Sequence, residues 1–82
     1  MRLDKFLKVS RLIKRRSVAN EACDHERVWV AGRVAKASYE VKVGDILEIR
    51  FGQRILRVEV LSVREHAART EAPSMYRELS GD

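Results

Sequence analysis

Hydrophobic positions follow two rhythms along this chain, first the three-and-four spacing of a helix and then the alternation of a strand. Leu3, Phe6, Leu7 and Ser10 share one helical face, while Lys5, Lys8 and Arg11 share another. Asp4 is placed to cap the start of this helix, where a carboxylate also meets the positive end of the helix dipole. Leu12 and Ile13 make a short apolar patch before Lys14, Arg15 and Arg16. Ser17 has the chemistry of an N-cap for a second helix, with Asn20 and Glu21 in its next turn. Val18, Ala19, Ala22 and Cys23 give that helix a small-residue face for close packing, and it is expected to end between residues 24 and 26.

From Val28 the period changes to two. Val28 and Val30 alternate with Trp29, so the indole should face away from both valines. Ala31-Gly32 makes a turn and Val34 resumes on the other side. Val41, Val43 and the Gly44-Asp45 pair lead into a second strand over residues 46–51, Gly52-Gln53 makes a tight turn, and a third strand is expected from Ile55 as far as Val63. Two short helices followed by a small antiparallel sheet predict an α+β fold with the helices on one side. The hydrophobic pattern stops at residues 66–70. Residues 1–65 therefore read as one domain, and residues 66–82 as a polar linker and C-terminal segment able to dock back. Met75, Tyr76 and Leu79 predict a short C-terminal helix or tail, and the last three residues are expected to be loose.

Charge changes this picture from a generic small fold to a directed surface. Residues 1–16 carry seven basic side chains against one acid, Asp4, for a net +6; residues 17–82 hold ten basic and eleven acidic residues, for a net −1. The formal +5 of the 82-residue chain is thus generated by its first fifth. Segregated positive charge makes a local field, and its natural partner is a polyanion whose condensed counterions are released on binding. The candidate phosphate contacts are Arg2, Lys5, Lys8, Arg11, Lys14, Arg15, Arg16 and Ser17. Arg2 and Arg16 stand out, because a guanidinium can grip phosphate with two parallel hydrogen bonds or stack on a splayed base. Lys5, Lys8 and Lys14 act as point charges. Arg11 and Arg15 read either as contacts or as partners of Glu21 and Asp24. Asp4 is read as structural, holding Arg2 or Lys8 in place. Lys36 and Tyr39 are possible supporting contacts from a loop, and Trp29 either covers the core edge or stacks on a base. Arg16→Ala should weaken binding with little effect on unfolding.

Other function classes are poorly served. A chain this short buries only about 60% of its unfolded surface, which leaves little room for a deep substrate cavity beside a core. No apolar run approaches the roughly 20 residues of a membrane span, and no apolar stretch of a secretory signal follows the basic N-terminus. The lone cysteine, Cys23, excludes an internal disulfide and a cysteine-based zinc cluster, fits a reducing cytoplasm, and reads as a small core residue. His25 and His66 lack metal-site companions. No nucleophile–base set and no phosphate loop is assembled. No enzyme activity, no cofactor, no metal and no membrane association are expected, and the working unit is expected to be a monomer.

Three segments in order carry a family resemblance: residues 2–7 followed by 10–17, residues 27–34 (Arg-Val-Trp-Val-Ala-Gly-Arg-Val), and residues 41–47 (Val-Lys-Val-Gly-Asp-Ile-Leu). Together they resemble the RNA-binding domain named after small-subunit ribosomal protein four, over roughly residues 1–63. The resemblance implies two helices packed on a bent sheet, with the helix pair and its adjoining loop resting on structured RNA. Stand-alone members fall into two related groups, the ribosome-quality-control P group and the ribosome-associated fifteen-kilodalton heat-shock group. Residues 1–17, Phe51-Gly52-Gln53, and the ending that contains Met75-Tyr76 look most like the first. What that likeness implies is binding, through ribosomal RNA and tRNA, to a large ribosomal subunit obstructed by peptidyl-tRNA. There the family holds the P-site tRNA while an alanine-tailing factor extends the stalled nascent chain. The rival readings are a heat-shock-type factor that moves stranded peptidyl-tRNA, and a protein-interaction module whose basic helix docks on an acidic partner. Two positions depart from the family pattern: its usual Asn-Gly turn is Ala31-Gly32 here, and His25 stands where a glycine often precedes the first strand.

Overall fold

The computed structural model describes residues 1–79; the expectation of a loose tail at residues 80–82 lies outside the described residues. Helix α1 spans Leu3–Val9 and α2 spans Arg16–Asp24. Five strands follow: β1 Val28–Val30, β2 Arg33–Val34, β3 Ile46–Phe51, β4 Arg54–Val60 and β5 Tyr76–Glu78, with a 3-10 turn at Ala72–Met75 before the last. The strands form one antiparallel sheet in the order β2-β1-β3-β4-β5. Both helices lie on one face, as the pattern of α1 and β1 predicts.

The two rhythms meet in one core. Leu3, Phe6 and Leu7 of α1 are fully buried, Ser10 nearly so, and Ala19 and Cys23 pack beside them from α2. The inward residues of the sheet are Val28 and Val30, Leu47 and Ile49, and Val58 and Val60, each pair two apart in sequence. The burial of Cys23 matches the reading of it as a core residue. Lost hydration, with Asp4 and Asp24 nearby, pushes its thiol up to about 11.

The helix ends differ from expectation in an instructive way. Arg2 and Arg15 occupy the N-cap positions, and neither helix has a side-chain cap there. Asp4 is the second residue of α1 and Ser17 the second of α2, so Ser17 is not an N-cap. The first amides of α1 are met instead by the loop ahead of β3: Leu3 N–H donates to the Tyr39 carbonyl (2.8 Å) and Asp4 N–H to that of Ala37 (3.2 Å). A side-chain cap is redundant once a loop supplies carbonyl acceptors. Arg11 lies beyond the end of α1 in a left-handed conformation (φ 63°), so it does not continue the lysine face of the helix. After α2 the left-handed residue is Glu26 (φ 58°), one position past His25, and Arg27 N–H closes the turn onto the Ala22 carbonyl. Ala31 and Gly32 both have positive φ, 51° and 80°, as a two-residue hairpin of this hand requires.

The C-terminal segment departs most. β4 stops at Val60 rather than Val63, and the expected terminal helix is a 3-10 turn followed by an edge strand. Pro73 sits in the opening of that turn, Met75 is fully buried, and Leu61 N–H donates to the Met75 carbonyl at 2.8 Å. The chain therefore arrives beside β4 already extended, and Tyr76 to Glu78 pair with Val60 to Val58.

A candidate RNA interface on the helix pair

Asp4 organises one half of the basic segment. Its side chain is only 3% exposed, yet it lies among half-exposed cations. Its Oδ1 accepts from the Lys5 amide (2.8 Å), the Arg2 Nε (3.2 Å) and an Arg16 guanidinium nitrogen (3.5 Å), while Oδ2 accepts from Arg2 (3.4 Å) and from the Asn20 amide (3.3 Å). Burial alone pushes this carboxyl upward, but the hydrogen bonds from Arg2, Asn20 and Arg16 outweigh it and hold the group below the ordinary aspartate value. The structural reading of Asp4 and its hold on Arg2 agree with this arrangement; Lys8 is not a partner. Arg16 and Asn20, both on α2, are the additions. One carboxylate thereby ties the two helices together and aims two guanidinium groups, each about half exposed, at solvent. Arg16 is the first residue of α2 rather than a residue before it, and is bonded to Asp4, so the reason for expecting no stability cost on its replacement does not hold.

The other half is arranged loosely. Lys8, Arg11 and Lys14 line a small groove with residues 65–67, Glu-His-Ala, of the segment after β4. Among the described residues, Lys8, Arg11, Lys14 and Arg15 form no ion pair, so Glu21 and Asp24 are not partners of Arg11 or Arg15. Lys5 stands between the halves and is bonded to exposed Glu65, whose carboxyl that contact lowers. Ser17 is exposed and carries no hydrogen bond from its side chain among the described residues.

The supporting candidates separate. Lys36 is exposed beside Arg2, lining the same concavity. Tyr39 is half-buried, and its hydroxyl donates to Asp45 Oδ2 at 2.8 Å. Trp29 lies on the open face of the sheet, away from Val28 and Val30 as expected. Its indole N–H donates to the Glu26 carbonyl (3.2 Å), and the Arg50 guanidinium lies over its ring at 4.3 Å. Glu48 anchors that stack by accepting from Arg50 (3.0 Å) and Arg57 (3.2 Å). The indole is thus engaged within the protein on one face. Among the described residues no group of three or more His, Cys, Asp or Glu could hold a metal ion, and no helix is long and apolar enough to cross a membrane.

This geometry can grip phosphates, and comparison with known proteins says whose geometry it is. The S4 domain model matches residues 1–47, which contain both helices, the Asp4 network and the β1–β2 hairpin. The chain belongs to the S4 domain family. Within the family it is similar to the RQC P-site tRNA stabilizing factor of Halalkalibacterium halodurans, 57% identical over 93% of this chain and 86% of that protein. The protein of the same name from Bacillus subtilis is 53% identical over 93% of this chain and 88% of its own length. Among solved structures, heat shock protein 15 of Vibrio cholerae, described as trimeric, superposes with a TM-score of 0.90 at 30% identity, over 98% of this chain and 82% of that one. The α+β architecture of helices on an open antiparallel sheet is that of this heat shock protein structure.

Proposed function

We propose that this protein is a non-enzymatic RNA-binding factor of ribosome quality control, acting as the relatives given above are named to act, by stabilising P-site tRNA. The observation that supports this most is the Asp4 network, which fixes Arg2 and Arg16 in one geometry with donors left for an outside anion. A guanidinium oriented before binding loses less side-chain freedom when it meets phosphate. In this reading Arg2 and Arg16 set the register on an RNA backbone. Lys5, Lys8, Arg11, Lys14, Arg15 and Ser17 extend the contact across neighbouring phosphates, with Lys36 beside Arg2. The target is a large ribosomal subunit carrying peptidyl-tRNA, contacted through its ribosomal RNA and the tRNA, and the factor that adds alanine to stalled chains works beside it. Such a site lies in the cytoplasm. Shape rather than base identity supplies the selectivity on helical RNA, whose major-groove edges side chains cannot reach.

Co-sedimentation with empty large subunits, with subunits carrying peptidyl-tRNA and with free tRNA tests this reading. Selective pelleting with the obstructed subunit, lost in an Arg2→Ala/Arg16→Ala variant, is the expected result; binding to none of the three overturns it. The unit that binds is read as one copy. Mass measurement in solution checks this against the trimer described for the Vibrio cholerae protein.

A further inference from the structure

The turn between β1 and β2 and the loop after β2 border an open concavity outside the helix pair. Val30, Ala31, Arg33, Val34, Tyr39 and Lys36 are its principal walls, and its volume is about 620 Å³. That volume falls within the roughly 300–1,000 Å³ usual for small-ligand sites. The floor is apolar and aromatic. The cations in its walls are Arg33 and Lys36, both exposed and without an ion-pair partner among the described residues, and no acid lines it. The Tyr39 ring is fixed in place by its hydrogen bond to Asp45. Val34 keeps 43% of its surface exposed although it lies in a strand.

This concavity is continuous with the helix-pair surface. A second hollow shares Val34, Ala35, Lys36 and Ser38 with it and reaches Arg2 and Asn20, the Asp4 partners. The join is rigid, since the loop that carries Lys36 and Tyr39 is hydrogen-bonded to the first amides of α1. The second hollow also carries Asp24 and Glu26, which repel a phosphate. An RNA strand leaving Arg2 is therefore drawn along the Lys36 side, towards the acid-free end. There an apolar floor beside two cations suits a flat heterocycle whose phosphate stays outside.

We infer that this concavity is a subsite for one unpaired nucleobase of the bound RNA, its ring against Tyr39 and Val34 and its phosphate on Arg33 and Lys36. The inference rests on the RNA-binding reading above and adds a selectivity that backbone contacts alone do not give, a preference for RNA with an extruded nucleotide next to a helix.

The test uses two RNA hairpins, one fully paired and one with a single bulged 2-aminopurine, and follows both affinity and the fluorescence of that base. Wild-type protein should bind the bulged hairpin about tenfold more tightly, the usual scale of one stacked base, and should quench the fluorophore. Ser38→Phe, which places a ring in the concavity from an exposed position, and Arg33→Ala, which removes a cation from its wall, should each abolish that preference while binding the paired hairpin within about twofold of wild type. Thermal melts of both variants confirm that they fold. Equal affinity of wild type for the two hairpins, or an intact preference in both variants, overturns the subsite and leaves the helix-pair reading standing. Loss of binding to both hairpins in Arg2→Ala/Arg16→Ala is the sign that the underlying reading holds. Failure of wild type to bind either hairpin overturns the subsite, and overturns the underlying reading as well if the co-sedimentation targets are also not bound.

Discussion

Arg2 and Arg16 share a carboxylate that solvent hardly reaches, whereas Lys8, Arg11 and Lys14 face an open groove without ion-pair partners among the described residues. The two groups come from the same sixteen residues and supply the same sign of charge. What separates them is order. Arg2 immediately precedes α1 and Arg16 opens α2, and the fold brings them into one geometry, so their arrangement forms only when the protein is folded. The lysines keep their freedom, so they contribute field and reach without fixing a position. In such a division the ordered pair sets where RNA sits, and the loose group sets how fast and how salt-sensitively it arrives.

The deepest way to break this division is to remove its hub. Asp4→Asn leaves Arg2, Arg16 and Asn20 without their shared anion, and should cost about 2 kcal/mol of stability in urea unfolding, along with most of the RNA affinity. Little effect on either would show that the arginines need no organiser. Next in size is the contrast between the groups themselves. Arg2→Ala or Arg16→Ala should lower affinity by roughly tenfold or more, and Lys8→Ala or Lys14→Ala by only a few-fold. Each lysine change should still flatten the salt dependence by about 0.7–0.9 per phosphate lost. Arg2→Lys should fail to restore the arginine level, since a single ammonium cannot bond to Asp4 and present a planar fork outward. Equal losses across both groups would erase the distinction.

Acid titration sharpens the same point. Asp4 has a folded value below the ordinary 3.8, so its stabilising contribution is complete above that pH and is lost as pH falls through the lower folded value. Thermal melts across this acid range should decline more steeply for wild type than for Asp4→Asn. A smaller and opposite effect is expected at the end of α2. Glu26→Gly relieves a left-handed side chain and should raise stability by about 1 kcal/mol, and because it also removes a carboxylate from the hollow beside Arg2 it should not weaken RNA binding. Smallest of all, Glu65→Ala releases Lys5 from its ion pair and should strengthen RNA binding about twofold, an increment typical of one exposed pair. A weakened affinity would mean that Glu65 positions Lys5 rather than masks it.

How far the sequence speaks depends on whether a signal is local. The inward faces of α1, β1, β3 and β4 are each written in their own residues, in Leu3 with Phe6 and Leu7 or in Val58 with Val60, and are legible. Arg2 and Arg16 are legible as candidates from side-chain chemistry. The join between them is not, because Asp4 meets Arg16 and Asn20 only after two helices pack, and no spacing along the chain records that. β5 escapes for a related reason. Tyr76-Arg77-Glu78 is too short to alternate, and its identity as a strand lies in β4 beside it. The left-handed Arg11 and Glu26 carry no glycine to mark them, so the end of α1 and the turn before β1 read as more regular than they are. The concavity beside Lys36 combines a hairpin and a loop; Lys36 and Tyr39 are legible as loop candidates, whereas Arg33, at the turn, joins them only once the hairpin has formed.

Cys23 gives this small protein a property unrelated to RNA. As its one cysteine, buried on the inner side of α2 with its thiol pushed up to about 11, it should react slowly with an alkylating reagent while the helix pair stays closed. Labelling should be much faster in molecules that have opened. The rate of that labelling therefore counts opening events one by one, and since Cys23 and Asn20 share α2, occupancy of the arginine surface by RNA becomes readable as a slowing of the chemistry at a single sulfur atom.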